Sequence, residues 1–381
     1  MKVRVSAPAA LISTLVLILV LSALINNRMS SGLIGSVEES RFQLMRAIVV
    51  NGMAETESKA LARAELVASL PSIQEKLRAG LREELLDETS LMFEGQQNRF
   101  GVAQAQFFVP PTTSFLRLND PEKFGDDVQS FRPMIVECFK DHLSLKGVSI
   151  SRSGAGIFGV APVRDGAGEI GVFEFGLDFA PLLDGLKAQY GFDVALYIEE
   201  QPLRATATNL PGDVFTDENR VGKYIRVHTT HLERMRQLVT DRDLSGGGEQ
   251  KYVREAGGLP YGVLVIPVRN YAGKELGVIA IAGDFAGSRA ASSETVAWQA
   301  LITLFGIVVC VGAILVVLRG MVLRPLREVG EKLQALASGN HEAAIEGADE
   351  MCEELQELAA AHETLRTKAA SNSEPATQEE T

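Results

Sequence analysis

Charged residues vanish from two stretches of this chain, Ala7 to Ile25 and Val296 to Leu318, and the rest is arranged around those gaps. At about 1.5 Å of rise per residue, the second run crosses a hydrocarbon layer roughly 30 Å thick as a helix, the one single-segment structure that satisfies its own backbone there. Trp298 stands near one end, where an amphipathic ring prefers the interface, and Arg319, Arg324 and Arg327 crowd the other. Lys2 and Arg4 precede the first run, which also has the look of a secretory signal peptide. Its length and the lack of a small-x-small cleavage site favour an uncleaved anchor. Cationic flanks at both outer ends predict a cytoplasmic N-terminus (1–6), a first span (7–27), an extracytoplasmic segment (28–294) and a second span (295–318).

Between the spans the pattern changes once. From Gly32 to about Asn98 apolar residues recur three and four apart (Val37, Phe42, Met45, Val49, Met53, Leu61, Leu66, Leu70), which predicts a long helix leading away from the membrane. Pro71 interrupts it and suits the first turn of a second helix from Ser72 to Phe93. After Gly101, short stretches rich in Phe and Val between Pro and Gly, such as AQAQFFVPP and GVSISRSGAGIFGVAPV, predict strands and hairpins. LYIEEQPLRATATNL and QKYVREAGG predict further strands, Gly222 to Val239 a helix, and DRDLSGGGEQ a loop.

An internal repeat organises this segment. Residues 158–179 read FGVAPVRDGAGEIGVFEFGLDF and residues 261–285 read YGVLVIPVRNYAGKELGVIAIAGDF. Both carry Pro-Val-Arg, a turn with Ala-Gly, a Gly-Val strand and a closing Asp-Phe, so each predicts a β-hairpin and the pair predicts two lobes, a distal one at about 90–195 and a proximal one at about 196–290.

After the second span the period becomes a heptad. Val322, Leu326, Val329, Leu333 and Leu336, then Met351, Leu355, Leu358, His362 and Leu365, are spaced four and three, and Gly339 with Asn340 suits a helix end between them. Two short seams on one chain are best buried by a second copy, which predicts a dimeric four-helix bundle over 319–367. The polar tail, 368–381, reads as disordered.

A net charge of −12 over 381 residues, with no basic cluster, argues against nucleic acid. Cys138, Cys310 and Cys352 fall before, inside and after the second span, so no disulfide is expected within the chain, and no metal-ligand spacing occurs. About sixty residues past the span leave no room for a catalytic output domain. His362 in HETLRT lies in the seam, and SGAGIFG lacks the spacing of a phosphate loop and reads as a tight turn. No enzymatic activity, catalytic residue, metal or cofactor is expected.

A long first helix, two lobes ending in Pro-Val-Arg hairpins and two bracketing spans resemble the double Cache sensor ectodomain of bacterial chemoreceptors and sensor histidine kinases. SFLRLNDPEKFGDDVQSFR, residues 114–132, is similar to one branch of that family. The resemblance implies an α+β class: an antiparallel PAS-like sheet with flanking helices in each lobe, and a ligand pocket in the distal lobe. Residues 319–367 resemble a HAMP module, carried by Arg324-Pro325-Leu326, Ser338-Gly339-Asn340 and Asp349-Glu350. Cys352 departs from the glycine usual there. That resemblance implies a signal-relay role for Pro325, Leu326, Asp349 and Glu350.

For the ligand, Arg117 and Arg132 could hold a carboxylate, Asp126 and Asp127 an amine, and Phe107, Phe115 and Phe131 could wall the site, with Glu174 and Asp178 entering from the return strand. The same residues also read as ion pairs and core aromatics. A zwitterion such as an amino acid, or a small organic acid, fits both charge signs. The expectation is a homodimeric receptor of the bacterial inner membrane with both termini in the cytoplasm, contacting lipid and passing its signal to a separate cytoplasmic effector, or a chain lacking its output domain. The alternative is a membrane-anchored scaffold that recruits proteins and does not signal.

Overall fold

The three-and-four spacing near the start folds as one helix, α1 (Ser6–Ala68), in a computed structural model that describes residues 6–166, 168–340, 344–345 and 353–372. The chain divides into two units, Ile34–Ala290 and Met1–Leu33 with Ala291–Thr381. Pro71 does open the next helix, but the single helix expected over Ser72 to Phe93 is two. α2 (Pro71–Ala79) ends on Gly80 at φ 67°, and α3 (Arg82–Phe100) ends on Gly101 at φ 65°. Glycine takes this left-handed conformation without a Cβ clash, so it stops a helix whose apolar spacing would otherwise continue.

Alternating burial then builds a first antiparallel sheet. Its elements are β1 (Val102–Val109), β2 (Thr113–Arg117), α4 (Pro133–Asp141), β3 (Leu145–Ser151), β4 (Gly154–Asp165) and β5 (Gly168–Leu177), with strand order β2-β1-β5-β4-β3. Helix α5 (Ala180–Tyr190) leads to a second antiparallel sheet. There follow β6 (Asp193–Glu199), α6 (Glu200–Thr206), β7 (Arg220–Val221), β8 (Tyr224–Thr229), α7 (Leu232–Leu238), α8 (Asp241–Ser245), β9 (Gln250–Ala256), β10 (Leu259–Arg269) and β11 (Glu275–Asp284). Their order, β7-β8-β6-β11-β10-β9, repeats that of the first sheet with β7 added.

The repeated motif has the same physical role in both copies. The β4–β5 and β10–β11 hairpins each shift register within Pro-Val-Arg, between Val163 and Arg164 and between Val268 and Arg269. In the closing Asp-Phe, Asp178 accepts the N–H of Ala180 (3.1 Å) to start α5, and Asp284 accepts that of Ala286 (2.7 Å) to start α9 (Ala286–Leu318). Phe179 and Phe285 are both buried.

Three expectations for the second sheet are corrected. The helix expected over Gly222 to Val239 is β8 in its first half and helical only over Leu232–Leu238, because Tyr-Ile-Arg-Val-His-Thr alternates with period two and Gly222 turns at φ 59°. Residues 200–206, expected as strand, are α6. Residues 241–245, expected as loop, are α8, started by a reciprocal capping box between Thr240 and Asp243.

Between the neighbouring strands β6 and β8 the chain makes an excursion over 200–219, closed by Glu200, which pairs with Arg220 (2.9 Å) and Arg204 (2.7 Å). Those two hydrogen-bonded arginines, Arg220 first, hold the Glu200 carboxyl down to about 2 against an ordinary 4.5. A depressed carboxyl stabilises above its unfolded value and loses that contribution as pH falls through the folded one. Glu200→Gln should therefore melt below the parent at neutral pH, and the gap should close between pH 4.5 and about 2 in melts followed by circular dichroism.

In the other unit, α10 (Arg324–Ala337) and α11 (Glu353–Asn372) pack with Val329, Leu355, Ala359 and His362 buried. His362 Nε2 lies 3.2 Å from the Lys332 carbonyl, a seam position as expected. Leu326, Leu358 and Leu365 of the same seams are exposed, and Pro325 sits in the first turn of α10, where a missing N–H costs nothing. Asp349, Glu350, Met351 and Cys352 lie outside the described residues, as do 1–5 and 373–381. Among the described residues no helix is long and apolar enough to cross a membrane. The expected spans, 7–27 and 295–318, are stretches of α1 and α9.

Candidate functional site

Strand alternation puts two kinds of residue on the two faces of the first sheet. Phe107 and Phe173 point to the α1 side, buried with their rings 4.4 Å apart. Gln104, Gln106 and Glu174 lie on the other face, shared with Phe158 and α4, and form a polar floor inside an otherwise apolar layer. Glu174 is fully buried. It accepts from Gln104 Nε2 (2.7 Å) and pairs with Arg132 at the entry to α4.

Arg132 is 3% exposed, its guanidinium lies 4.8 Å from the Phe158 ring centre, and its Nε has no hydrogen-bond partner. Burial first, then the like charge of Arg117, pushes it down to about 9, so it remains cationic at neutral pH. Arg117, the cross-strand partner of Gln106, pairs with Asp126 (2.7 Å) and donates to the Lys123 carbonyl (2.6 Å). Asp126 also holds Arg152 (3.0 Å), which stacks over Phe131 (4.8 Å).

These groups enclose a cavity whose floor is β1 and β2, with walls at 119–132, at the β3–β4 turn and at Asn209. Its free volume is about 30 Å³, room for about two waters. A larger open groove of about 660 Å³ runs between α1 and α5. Its rim carries the exposed pair Glu55–Lys59 and the half-buried Arg63, which lies over the Phe100 and Phe175 rings, so it lacks the fully buried charges that mark the smaller cavity.

Of the residues singled out in the sequence, Arg117, Phe131 and Arg132 line the cavity, with Glu174 beneath Arg132 and Asp126 behind Arg117 and Arg152. Four others do not belong to it. Phe107 is core on the opposite face, and Phe115 sits at the β2 bulge, packed half-buried on that same core. Asp127 accepts from Thr112 (2.5 Å) and from the Gln129 N–H (3.0 Å), bonds that hold its carboxyl below the ordinary value and make it a loop brace. Asp178 is exposed and accepts the Ala180 N–H at the start of α5. Missed altogether were Gln104, Gln106, Lys123, Arg152 and Asn209. AQAQ did carry a signal, because two amides at alternate positions of an apolar strand put both on one face.

The second sheet has no such floor. Where Gln106 faces Glu174 across β1 and β5, Ala195 faces Ala280 across β6 and β11, and Met235, Leu238 and Tyr261 fill the space. Asp193, the neighbour two residues before Ala195, is buried but already paired with Lys187 (2.7 Å) and Arg234. Among the described residues no cluster of His, Cys, Asp and Glu could hold a metal ion.

Compared with known proteins, residues 44–286 match the model of the dCache_3 family, described as the double sensory domain of two-component sensor kinase. Solved structures that the chain matches include the V. cholerae histidine kinase DctB sensor domain, with 10% identity over 65% of this chain and 98% of that one and a TM-score of 0.38. The periplasmic domain of Vibrio cholerae LuxQ has 8% identity over 62% and 97%, with a TM-score of 0.39. The ligand-binding domain of the Campylobacter jejuni chemoreceptor Tlp3, solved in complex with L-valine, has 10% identity over 66% and 95%, with a TM-score of 0.33. No curated protein matches the chain.

Proposed function

We propose, from the premise that the chain belongs to the dCache_3 family of double sensory domains, that it is a transmembrane receptor whose first lobe binds a small organic anion. The observation that carries this is the buried Arg132 with an Nε that no protein group satisfies, in a cavity where Arg117, Lys123, Arg132 and Arg152 stand against Asp120, Asp126 and Glu174. Four cations against three carboxylates leave one positive charge over, and a buried guanidinium N–H gains most from an anionic oxygen. Amino acids and organic acids both offer one.

The rest of the reading is a bacterial inner-membrane homodimer with two spans and both termini in the cytoplasm, no catalytic activity of its own, and a HAMP-like pair, α10 and α11, that passes the change to a separate effector. Ligand binding that prefers one arrangement of the ectodomain shifts the population of both ends. The exposed seam leucines Leu326, Leu358 and Leu365 support a second copy on that pair.

A thermal-shift screen of the full-length chain against amino acids, organic acids and their uncharged amides tests the site. A carboxylate should raise the melting temperature and its amide should not. Arg132→Lys keeps a cation for Glu174 but removes the free N–H, and should weaken that response by about tenfold, the worth of one charge-assisted hydrogen bond. A response to amides equal to that of the acids, or none to any carboxylate, would count against it.

A further inference from the structure

β3 is an edge strand of the first sheet, and the second lobe grips it at its middle and at its end. Midway along it, the Tyr271 N–H in the β10–β11 turn donates to the Val148 carbonyl (3.2 Å), and Asn270 forms a parallel bridge with Val148. The approach is close enough that a Cβ on Gly147 would stand 2.9 Å from the Tyr271 Cα. At its end, the Asn209 N–H donates to the Arg152 carbonyl (2.9 Å), and Leu210 packs over Gly154. That same end is a wall of the cavity, and Asn209, though it lies between two strands of the second sheet, lines the cavity as well.

Ten residues further along the same excursion, Asn219 Nδ2 donates to the carbonyls of Asp213 (3.3 Å) and Val214 (3.2 Å). The Asn219 carbonyl accepts from the Arg226 N–H (2.7 Å) in β8, and Arg226 Nη2 returns to the Glu218 carbonyl (2.7 Å). Arg226 is 4% exposed.

The cavity is too small for an amino acid as it stands, so a wall must move to admit one. The floor does not yield readily: Glu174 and Arg132 are buried and paired. Arg152 is the soft part, its side chain 35% exposed and held by Asp126 and the face of Phe131. Its carbonyl carries Asn209 with it.

We propose that the segment 207–226 is the element through which the second sheet reads occupancy of the first-lobe cavity, with the Arg152 turn as input and β8 as output. This rests on the cavity being the ligand site, but the coupling is a property of the protein alone and is tested without ligand. Communication between the two lobes is an energetic coupling, which spatial continuity alone does not supply.

Amide hydrogen exchange followed by mass spectrometry on the full-length chain supplies it. Arg152→Ala frees the turn from Asp126 and Phe131, while Arg164→Ala on the same sheet, bonded to the His142 carbonyl, serves as the control. The amides of 219–229 should exchange about tenfold faster in Arg152→Ala and unchanged in the control, since local opening is read directly in exchange rates. Asp126→Asn, which loosens the same turn without a change of size, should reproduce the effect if Arg152→Ala folds poorly. Faster exchange confined to 145–154, or an equal rise in the control, overturns the proposal. Either result leaves the thermal-shift screen to stand or fall by itself.

Discussion

Glu174→Ala is expected to lower the free energy of unfolding by about 3–5 kcal/mol, because it strands a buried guanidinium. Arg132 is 3% exposed and its Nε already lacks a partner, so removal of the carboxylate leaves a desolvated cation with only the face of Phe158 against it. Gln104 loses its acceptor in the same step. For a domain of this size the loss is a fall in melting temperature of about 10 °C. The double replacement Arg132→Met with Glu174→Leu should regain most of it, since two well-packed apolar side chains of similar volume avoid the desolvation of both charges. Thermal melts of the single and double variants check this. If the double variant melts as low as the single one, the pair is not behaving as a buried ion pair. If its stability returns but the carboxylate response stays lost, these charges are present for binding and the fold tolerates their cost.

Gly159→Ala should cost about 3 kcal/mol or more, although it adds a single methyl group. A Cβ at this position of β4 would lie 2.2 Å from the Leu61 nitrogen and 2.3 Å from the Ala60 carbonyl carbon. Both are backbone atoms of α1, so no rotamer change relieves the clash and the helix itself must retreat. Ala60 and Ala64, both fully buried, are the small residues that let it come this close. Overpacking of a well-packed core ordinarily costs about 1–3 kcal/mol, and a clash against rigid backbone belongs at or beyond the upper end. Gly185→Ala in α5, where nothing lies within 4 Å of the added atom, should instead be neutral or stabilising by up to about 1 kcal/mol. Opposite signs for the two glycines, measured in one denaturation series, would confirm that the contact with α1 and not glycine content decides.

Local chemistry made the two-lobed α/β architecture legible. Pro-Val-Arg, the Gly-containing turns and Asp-Phe each act within a few residues, on a bulge, a turn and a cap, and their recurrence marked the duplication before any strand was paired. Elements decided by a single residue were harder to see. Gly80 divides a helix whose apolar spacing continues through it, and the alternation of β8 is short enough to pass for one face of a helix.

The site was legible only where charge was conspicuous. Arg117, Arg132 and Glu174 stand out in an apolar context. Phe107 and Phe131 look alike in sequence, yet register sends the first to the core and the second to the cavity. Asn209 carries no local signal, since it reaches the first lobe only by way of a detour between two strands of the second.

The rims of both sheets are covered, short or charged. Segment 125–128 lies along β2, with the Ser114 N–H on the Asp126 carbonyl (2.9 Å) and the Val128 N–H on that of Thr112 (3.0 Å). β3 is clasped by the second lobe, β7 is two residues long, and β9 carries Lys251, Arg254 and Glu255. Open strands recruit other chains into fibrils, and short, covered or charged ones do not. Double sensory domains with rims of this kind therefore stay separate at high local density, without pairing edge to edge.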